Sequence, residues 1–225
     1  MDRIMAKKRN GPGRPGGQTN LSESILDVAE QMFADNGFAG TAMRHVAERI
    51  GATPALINYY FSNKETLFRA VFLRRAEKIT EDRMARLAAL EAAGGYCVED
   101  LVRAFLEPTA ALLDTAQGRS FLRLHSRLHM EPEEIAFALR RQVYQASTRA
   151  YAEAFARLLP DLPPRRVYHR VSLMVGAYLY AFSDTNRLGE LTEGIGDGPL
   201  PGGEGDRMLQ DVVEFVAAGM RASPG

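Results

Sequence analysis

Apolar residues recur at three- and four-residue intervals along almost the whole chain from about residue 20. This spacing places them on one face of a helix, and no alternating, strand-like pattern of useful length interrupts it. The first helix is predicted to begin near Asn20 or Ser22. It should end at Asn36–Gly37, because both residues tolerate the left-handed conformation found just beyond helix ends. The pattern therefore predicts an all-α fold.

Capping residues divide the following stretch into further helices. A second helix is predicted to be capped by Thr41 and to stop at Gly51. A third opens with Thr53–Pro54, an N-cap followed by proline at the first helical position. Ser62–Glu65 has the form of a capping box and predicts a long fourth helix that reaches about Ala93.

Five more helices are predicted in the rest of the chain. They cover about residues 98–114, about 118–130, the stretch after Pro132 to about Leu159, a stretch that reaches about Leu188, and about 206–221. Residues 189–205 contain seven glycines and two prolines, and this composition predicts a loop.

Residues 41–61 have the form of a helix-turn-helix, two short helices joined by a tight turn. Gly51 can adopt the positive φ that such a turn requires. Ala47 is small enough for the two helices to cross closely, and Val46, Ile50 and Ile57 are expected to fill the space between them. The spacing from Ala47 to Gly51 to Ile57 is typical of this motif.

The third helix is predicted to present a polar stripe outward. Ala55, Asn58, Tyr59 and Ser62 follow one helical face, whereas Leu56 and Ile57 point inward with Tyr60 and Phe61. Asn58 has the amide that pairs with an adenine edge, and Ala55 can contact a thymine methyl group. Hydroxyls of Thr41, Thr53 and Tyr59, together with the Lys64 ammonium, suit phosphate contacts. A three-helix unit without DNA contacts, in which Tyr60 belongs to the core, is the alternative.

The run from Ser22 to about Phe72 resembles the N-terminal domain of the TetR family of bacterial regulators. About 45 residues carry this resemblance, from ILDVAEQMFADNGF to NKETLF. Asn58 departs from the tyrosine common in the family, so the base preference is an open point. The resemblance implies that Thr41, Arg44, Thr53, Pro54, Ala55, Asn58, Tyr59, Tyr60 and Lys64 face DNA.

A basic arm precedes the first helix. Residues 1–19 carry five arginines and lysines against the single acid Asp2, in a background rich in glycine and proline. The segment around Arg14 resembles an AT-hook, although Pro12 stands where a full hook has arginine. Insertion of Arg14 into the minor groove is one reading, and a solvated tail that adds only non-specific affinity is the other.

The later helices offer surfaces for a dimer. Residues 171–182 are apolar almost all round, and a single recognition helix reads too few base pairs to work alone. In TetR-like proteins, the helix that corresponds to residues 171–182 and the last helix, about residues 206–221, form a four-helix dimer interface with the second subunit. The alternative is that both helices belong only to the core of their own chain. The expected interface residues are Val171, Val175, Tyr178, Leu179, Phe182, Val212, Phe215 and Val216.

Polar tips within apolar stripes suggest a small-molecule pocket in the same region. An ordinary core with satisfied tyrosines and histidines is the alternative. The expected ligand contacts are Phe105, Phe121, Arg123, His125, His129, Tyr144, Tyr151 and Tyr178. The second half of the chain also resembles the PsrA-like, fatty-acid-responsive regulators, which implies an acyl ligand.

Charge and cysteine content narrow the function classes. Net charge is zero, so the whole chain is not an obvious nucleic-acid binder. The single cysteine, Cys97, excludes an internal disulfide and is expected to be a buried, inert thiol. His125 and His129 are spaced for a metal but lack the H-E-x-x-H pattern, so we expect no metal and no cofactor. The longest apolar run is too short for a membrane span, and a cytoplasmic location is expected.

These features predict three parts: a flexible basic arm (1–19), a helix-turn-helix domain (20–63), and a larger helical ligand-binding and dimerisation domain (64–225). The expected function is a ligand-responsive repressor that binds a palindromic double-stranded operator as a homodimer. A small hydrophobic effector, fatty acyl or similar, would release it. A constitutive DNA-binding protein without an effector, and a helical enzyme with a vestigial helix-turn-helix, are the alternatives; no enzyme motif is evident.

Overall fold

A computed structural model describes residues 16–183, 190–191, 193 and 204–223, and within these ranges the chain is helical with no strand. The all-α prediction is therefore confirmed. The helices are α1 (Gly16–Gly40), α2 (Met43–Arg49), α3 (Pro54–Tyr60), α4 (Lys64–Ala93), α5 (Val98–Ala110), α6 (Ala116–Arg127), α7 (Glu133–Leu158), α8 (Pro164–Ala181) and α9 (Glu204–Arg221). Short 3₁₀ turns follow α5 (Ala111–Asp114) and α6 (Leu128–Met130).

The first helix begins earlier than predicted. It starts at Gly16, so its first residues fall within the stretch expected to be a flexible arm. Gly37 breaks the helical path with φ 71° and ψ 179°, at the position where the sequence predicts the helix to end. The helix predicted to reach about Leu188 ends at Ala181, and most of the predicted loop at residues 189–205 lies outside the described residues.

The Thr53 cap and the turn at Gly51 are confirmed, whereas two other predicted caps are wrong. Thr53 caps α3 by accepting from the Leu56 N–H, and Gly51 takes a φ of 67° in the turn. The long helix α4 is capped by Asn63, which accepts from the Thr66 N–H at 2.8 Å, and not by Ser62. The N-cap of α2 is Ala42, whereas Thr41 bonds backward to α1.

Cys97 is the N-cap residue of α5 and is exposed, so the expectation of a buried thiol is wrong. Its Sγ donates to the Asp100 carboxylate at 3.0 Å. That hydrogen bond raises the pKa of the Cys97 thiol and so favours its protonated form.

Two apolar cores hold the helices together. The first lies under α1–α3 and contains Phe33 and Ile57, but it continues without a break into Phe68 of α4, Phe121 of α6 and Leu139 of α7. The helix-turn-helix unit therefore shares its core with the helices that follow it. The second core joins α5, α7, α8 and α9 around the end of α4.

A buried carboxylate ties α1 to α4. Glu30 is almost fully buried, and its Oε2 lies 2.7 Å from Arg75 Nε and 3.1 Å from Arg74 Nη2. Arg74 also pairs with Asp27 at 2.8 Å. Because buried charges are stable only when paired, this cluster fixes the position of α4 against the helix-turn-helix unit.

Candidate nucleic-acid interface and cavity

The outer stripe expected on α3 is exposed in the structure. Ala55, Asn58 and Ser62 are open to solvent, and 76% of Tyr59 is exposed. The side chains expected to point inward divide into two groups: Ile57 and Phe61 are buried, whereas Leu56 and Tyr60 are half-buried. The exposed ring of Tyr59 makes an edge contact with the half-buried ring of Tyr60.

Groups suited to phosphate contacts flank this stripe. Thr53 and Pro54 are exposed at the start of α3, and Arg44 is exposed on α2. The Arg44 guanidinium donates to a His45 ring nitrogen at 3.2 Å. His45 and Arg49, which the sequence pattern did not single out, are exposed on the same helix.

Thr41 and Lys64, which were expected to face DNA, make contacts inside the domain. Thr41 is buried, and its hydroxyl lies 2.9 Å from the Gly37 carbonyl and 3.1 Å from the Met32 carbonyl, at the end of α1. Lys64 is half-buried, donates from Nζ to the Phe38 carbonyl at 2.9 Å and lies 4.3 Å from the centre of the Phe38 ring. Arg14, the remaining predicted DNA contact, lies outside the described residues.

A cavity of about 500 Å³ lies between α4, α5, α6, α7 and α8. Five of the eight expected ligand contacts line it: Phe105, His125, His129, Tyr144 and Tyr178. Its wall also includes Val171 and Val175, while Arg140 and Arg149 stand near its edge. This volume is within the range of about 300–1,000 Å³ typical of small-molecule sites.

The other three expected contacts lie behind or away from the cavity wall. Phe121 packs against Phe72 and His125. Tyr151 packs against Phe105, and its hydroxyl donates to the Arg83 carbonyl at 2.8 Å. Arg123 is at the surface, where it bonds to Ser120 and pairs with Asp35.

Arg83 of α4 is one of several cavity residues that the sequence pattern did not reveal. Only 1% of it is exposed, and it lines the cavity. Its Nε donates to the Phe105 carbonyl at 2.8 Å and its Nη2 donates to the Thr109 hydroxyl at 3.0 Å. The guanidinium carbon lies 3.7 Å from the centre of the Phe105 ring, so the charge stacks on an aromatic face.

Two polar atoms beside Arg83 lack partners among the described residues. They are Nδ1 of His125 and the hydroxyl oxygen of Tyr144, and both are buried. Burial and the charge of Arg83 lower the pKa of His125 to about 3, so its ring is neutral at physiological pH. Burial raises the pKa of Tyr144 well above its ordinary value, so its hydroxyl keeps its proton.

The residues expected to form the dimer interface are partly buried and partly exposed in the single chain. Five of its eight residues are buried within the chain's own core and have little surface left for a partner: Val171, Tyr178, Phe182, Val212 and Val216. Val175 and Leu179 are half-buried, and Phe215 is 75% exposed. Leu173 and Tyr180 of α8 are also exposed, at 73% and 65%, and were not predicted. They are recognisable only once the inner face of α8 is known.

Within the described residues, no three histidine, cysteine or carboxylate side chains come together as a metal site. Nor does any helix in this part of the chain have the length and apolar character of a membrane span.

A helix-turn-helix with an exposed recognition stripe, joined to a helical body that encloses a cavity, defines a DNA-binding transcriptional regulator. Residues 25–71 match the family model for bacterial regulatory proteins of the tetR family, and residues 103–219 match the tetracyclin repressor-like C-terminal domain. The chain belongs to the TetR family. This family consists of regulators and not of enzymes.

Similar proteins carry the same description. The chain is 30% identical over 129 residues to the HTH-type transcriptional repressor Rv3405c of Mycobacterium tuberculosis, covering 51% of this chain and 68% of that protein. It is 33% identical over 63 residues to the repressor AcnR of Corynebacterium glutamicum, covering 28% of this chain and 34% of AcnR.

Solved structures share the fold at low sequence identity. A TetR-family regulator from Bordetella parapertussis aligns with TM-score 0.65 and 16% identity, over 88% of this chain and 94% of its own. The fatty acid degradation regulator FadR of Bacillus halodurans aligns with TM-score 0.59 and 15% identity, over 96% and 100% of the two chains.

Proposed function

We propose that this regulator is a repressor that binds a palindromic operator as a homodimer and is released by a small hydrophobic effector. The exposed stripe of Ala55, Asn58 and Tyr59 is the observation that carries the DNA-binding part. In this proposal residues 20–63 contact DNA, and residues 64–225 bind the effector and the second subunit.

The DNA contacts fall into two groups. Asn58 and Ala55 read base edges in the major groove, because an amide pairs with adenine and a methyl group contacts thymine. Arg44, Thr53, Tyr59 and the rim hydroxyl of Tyr60 bind phosphates, with Pro54 fixing the start of the helix; they position the protein without reading sequence. Thr41 and Lys64 act inside the domain.

Dimerisation would use the outer faces of α8 and α9. Leu173, Tyr180 and Phe215 are large apolar side chains that are mostly exposed in the single chain. Apolar side chains grouped on one face of a surface commonly mark an interface. A symmetric dimer would present two recognition helices to two half-sites, which accounts for a palindromic operator.

The cavity supports the effector part. Its wall combines aromatic and aliphatic side chains with arginines, histidines and neutral polar groups, a mixture that can hold and orient a small molecule. FadR of Bacillus halodurans, which shares this fold, is named for fatty acid degradation, and the second half of this chain resembles fatty-acid-responsive regulators. A fatty acyl or similar effector fits this wall. A ligand that binds only the DNA-free form lowers operator affinity by its difference in affinity for the two states.

The test begins with selection of bound fragments from a genomic DNA library. The enriched sequence is then titrated with the protein and with Asn58→Ala, which should lose about 1–3 kcal/mol of discrimination at one base pair of each half-site. Gln117→Ala, an exposed amide change at the start of α6, serves as the matched control and should bind like the unmodified protein. Equal discrimination by Asn58→Ala would contradict the assigned contact.

The same DNA complex is then exposed to saturated fatty acids of increasing length. Release of DNA, together with thermal stabilisation of the free protein, is the expected result. If no member of the series does either, the fatty acyl effector is ruled out and the alternative of a constitutive DNA-binding protein is favoured.

A further inference from the structure

A buried positive charge stands in the cavity without a negative partner. Arg83 forms no ion pair with any carboxylate in the described part of the chain, and its two hydrogen bonds go to neutral oxygens of Phe105 and Thr109. Its third nitrogen, Nη1, makes no hydrogen bond to a described residue. Buried charges in proteins are normally paired, because a low-dielectric surrounding makes a lone charge costly.

The aromatic rings around Arg83 offset only part of this cost. The guanidinium lies on the Phe105 face and 5.4 Å from the centre of the Tyr178 ring, at distances typical of cation–π contacts. These rings carry no formal charge. The cavity therefore keeps a net positive charge at its inner wall.

The unpartnered polar atoms lie at the same place. The rings of Tyr144 and His125 stack with centres 5.1 Å apart, and both line the cavity with Arg83. The Tyr144 hydroxyl is protonated and has no acceptor among the described residues. A neutral His125 ring adds no negative charge that could neutralise Arg83. Together they offer one cation and at least one donor to a ligand oxygen.

The remaining wall suits an apolar body. The apolar part of the wall is formed by Phe105, Val171, Val175 and Tyr178. The cavity volume of about 500 Å³ leaves room for one small molecule. Arg140 also lines the cavity and adds positive charge that would attract an anion, whereas Arg149 is paired with Glu153 at 3.5 Å.

We propose that the cavity binds an organic monocarboxylate with an apolar body, as the free anion and not as an ester or thioester. The carboxylate pairs with Arg83 and accepts a hydrogen bond from the Tyr144 hydroxyl, while the apolar body lies against Phe105 and Val175. An ester carbonyl has no charge with which to neutralise Arg83, and a coenzyme A thioester carries its charges on distant phosphates. This inference rests on the effector part of the proposed function and names the chemical class of that effector.

Calorimetric titration of the full chain tests the charge requirement. The probes are dodecanoate and 4-phenylbutyrate, each compared with its methyl ester, and dodecanoyl coenzyme A, all below any micelle-forming concentration. We expect at least one of the two acids to bind, and to bind at least tenfold more tightly than its methyl ester. Equal or tighter binding of the ester or of the thioester would overturn the proposal.

Variants then assign the charge to Arg83. Arg83→Gln should remove the preference for acid over ester, whereas Arg86→Gln, three residues along the same helix and paired with Glu107 at the surface, should retain it. Tyr144→Phe removes a hydroxyl that has no partner among the described residues. It should leave thermal stability unchanged or higher and weaken the acids several-fold while leaving the esters unaffected. This variant loses no hydrogen bond to a described residue and is expected to keep the fold, so it tests the anion site even if Arg83→Gln does not fold. Unchanged binding of the acids would overturn the carboxylate contact.

The outcomes separate the two levels of the proposal. If esters or the thioester bind and release DNA while the acids do not, the anion site is wrong and the effector function stands. If no probe binds and the DNA complex persists, this inference fails. The effector function fails as well if the full fatty acid series also leaves the DNA complex intact.

Discussion

The carboxylate of Glu131 accepts a hydrogen bond from the backbone N–H of Phe38 at 2.9 Å. Glu131 follows the 3₁₀ turn after α6, and Phe38 follows the break at Gly37 in α1. His129, only two residues before Glu131, lines the cavity. A hydrogen bond and two residues of chain therefore connect the cavity wall to the end of α1, just before the helix-turn-helix.

Glu131→Ala should weaken this junction. Loss of a hydrogen bond to a charged acceptor is expected to lower the free energy of unfolding by about 1.5–3 kcal/mol, measured by urea denaturation. The effector should also release DNA less effectively, because the link between cavity and helix-turn-helix is lost. Glu134→Ala, an exposed carboxylate in the first turn of α7, is the control. A variant as stable and as responsive as the control would rule out this role.

Lys64 and Arg44 should respond in opposite ways to neutralisation. Lys64→Gln should lower the free energy of unfolding by about 1–2 kcal/mol, because it loses the Phe38 carbonyl and ring contacts. Its DNA affinity should keep the same dependence on salt. Arg44→Gln should leave stability unchanged and reduce the salt slope by about 1, as expected when one phosphate contact is lost. Anisotropy titrations from low to moderate salt measure this slope, and a reduced slope for Lys64→Gln would restore it as a phosphate ligand.

His125 should make the fold acid-sensitive. Its pKa is about 3 in the folded protein, where burial and the charges of Arg83 and His129 disfavour protonation, and its ordinary value is about 6.5. Between these values the unfolded chain binds a proton that the folded chain does not. Stability therefore falls as pH decreases below about 6.5, by about 1.4 kcal/mol per pH unit from this group.

His125→Phe removes that proton-binding site while keeping a ring of similar size. Unfolding by urea at pH 7 and pH 5 should show a smaller loss of stability in the variant than in the unmodified protein. His169→Phe, a change at an exposed histidine of α8, is the control and should keep the full loss. Parallel losses in all three proteins would show that His125 does not carry the effect.

Phe215→Glu should convert a dimer to a monomer. A carboxylate at this exposed apolar position would be buried without a partner in the proposed interface. Sedimentation velocity measures the change in mass, and operator affinity should fall with it. Phe137→Glu, at an exposed aromatic residue on α7, should remain dimeric. A monomeric unmodified protein would remove the interface from the proposal altogether.

Local sequence was enough to determine the helices, the turn at Gly51, the Thr53 cap and the outward stripe of α3. Each depends on neighbours within about four residues, through helical periodicity and capping, and so can be read from the pattern. The cap of α4 moved by only one residue, from Ser62 to Asn63, since both residue types can cap a helix.

Long-range packing decided the roles of individual polar side chains. Thr41 and Lys64 were placed on DNA by their motif position, but the kink at Gly37 brings the last turn of α1 within reach of both. Likewise, the inner face of α8 uses Val171, Tyr178 and Phe182, which leaves Leu173 and Tyr180 outside. Periodicity identifies an apolar face without showing which neighbour covers it.

Arg83 shows most clearly what the sequence pattern cannot predict. It lies in a strongly charged stretch of α4, where an arginine is expected to face solvent. Its burial depends on Phe105 and Thr109, which are 22 and 26 residues away in sequence and approach only when α5 packs on α4. The chain's own pattern thus determined an all-α fold with a helix-turn-helix and an exposed stripe on α3, and only the tertiary structure placed a buried cation in its cavity.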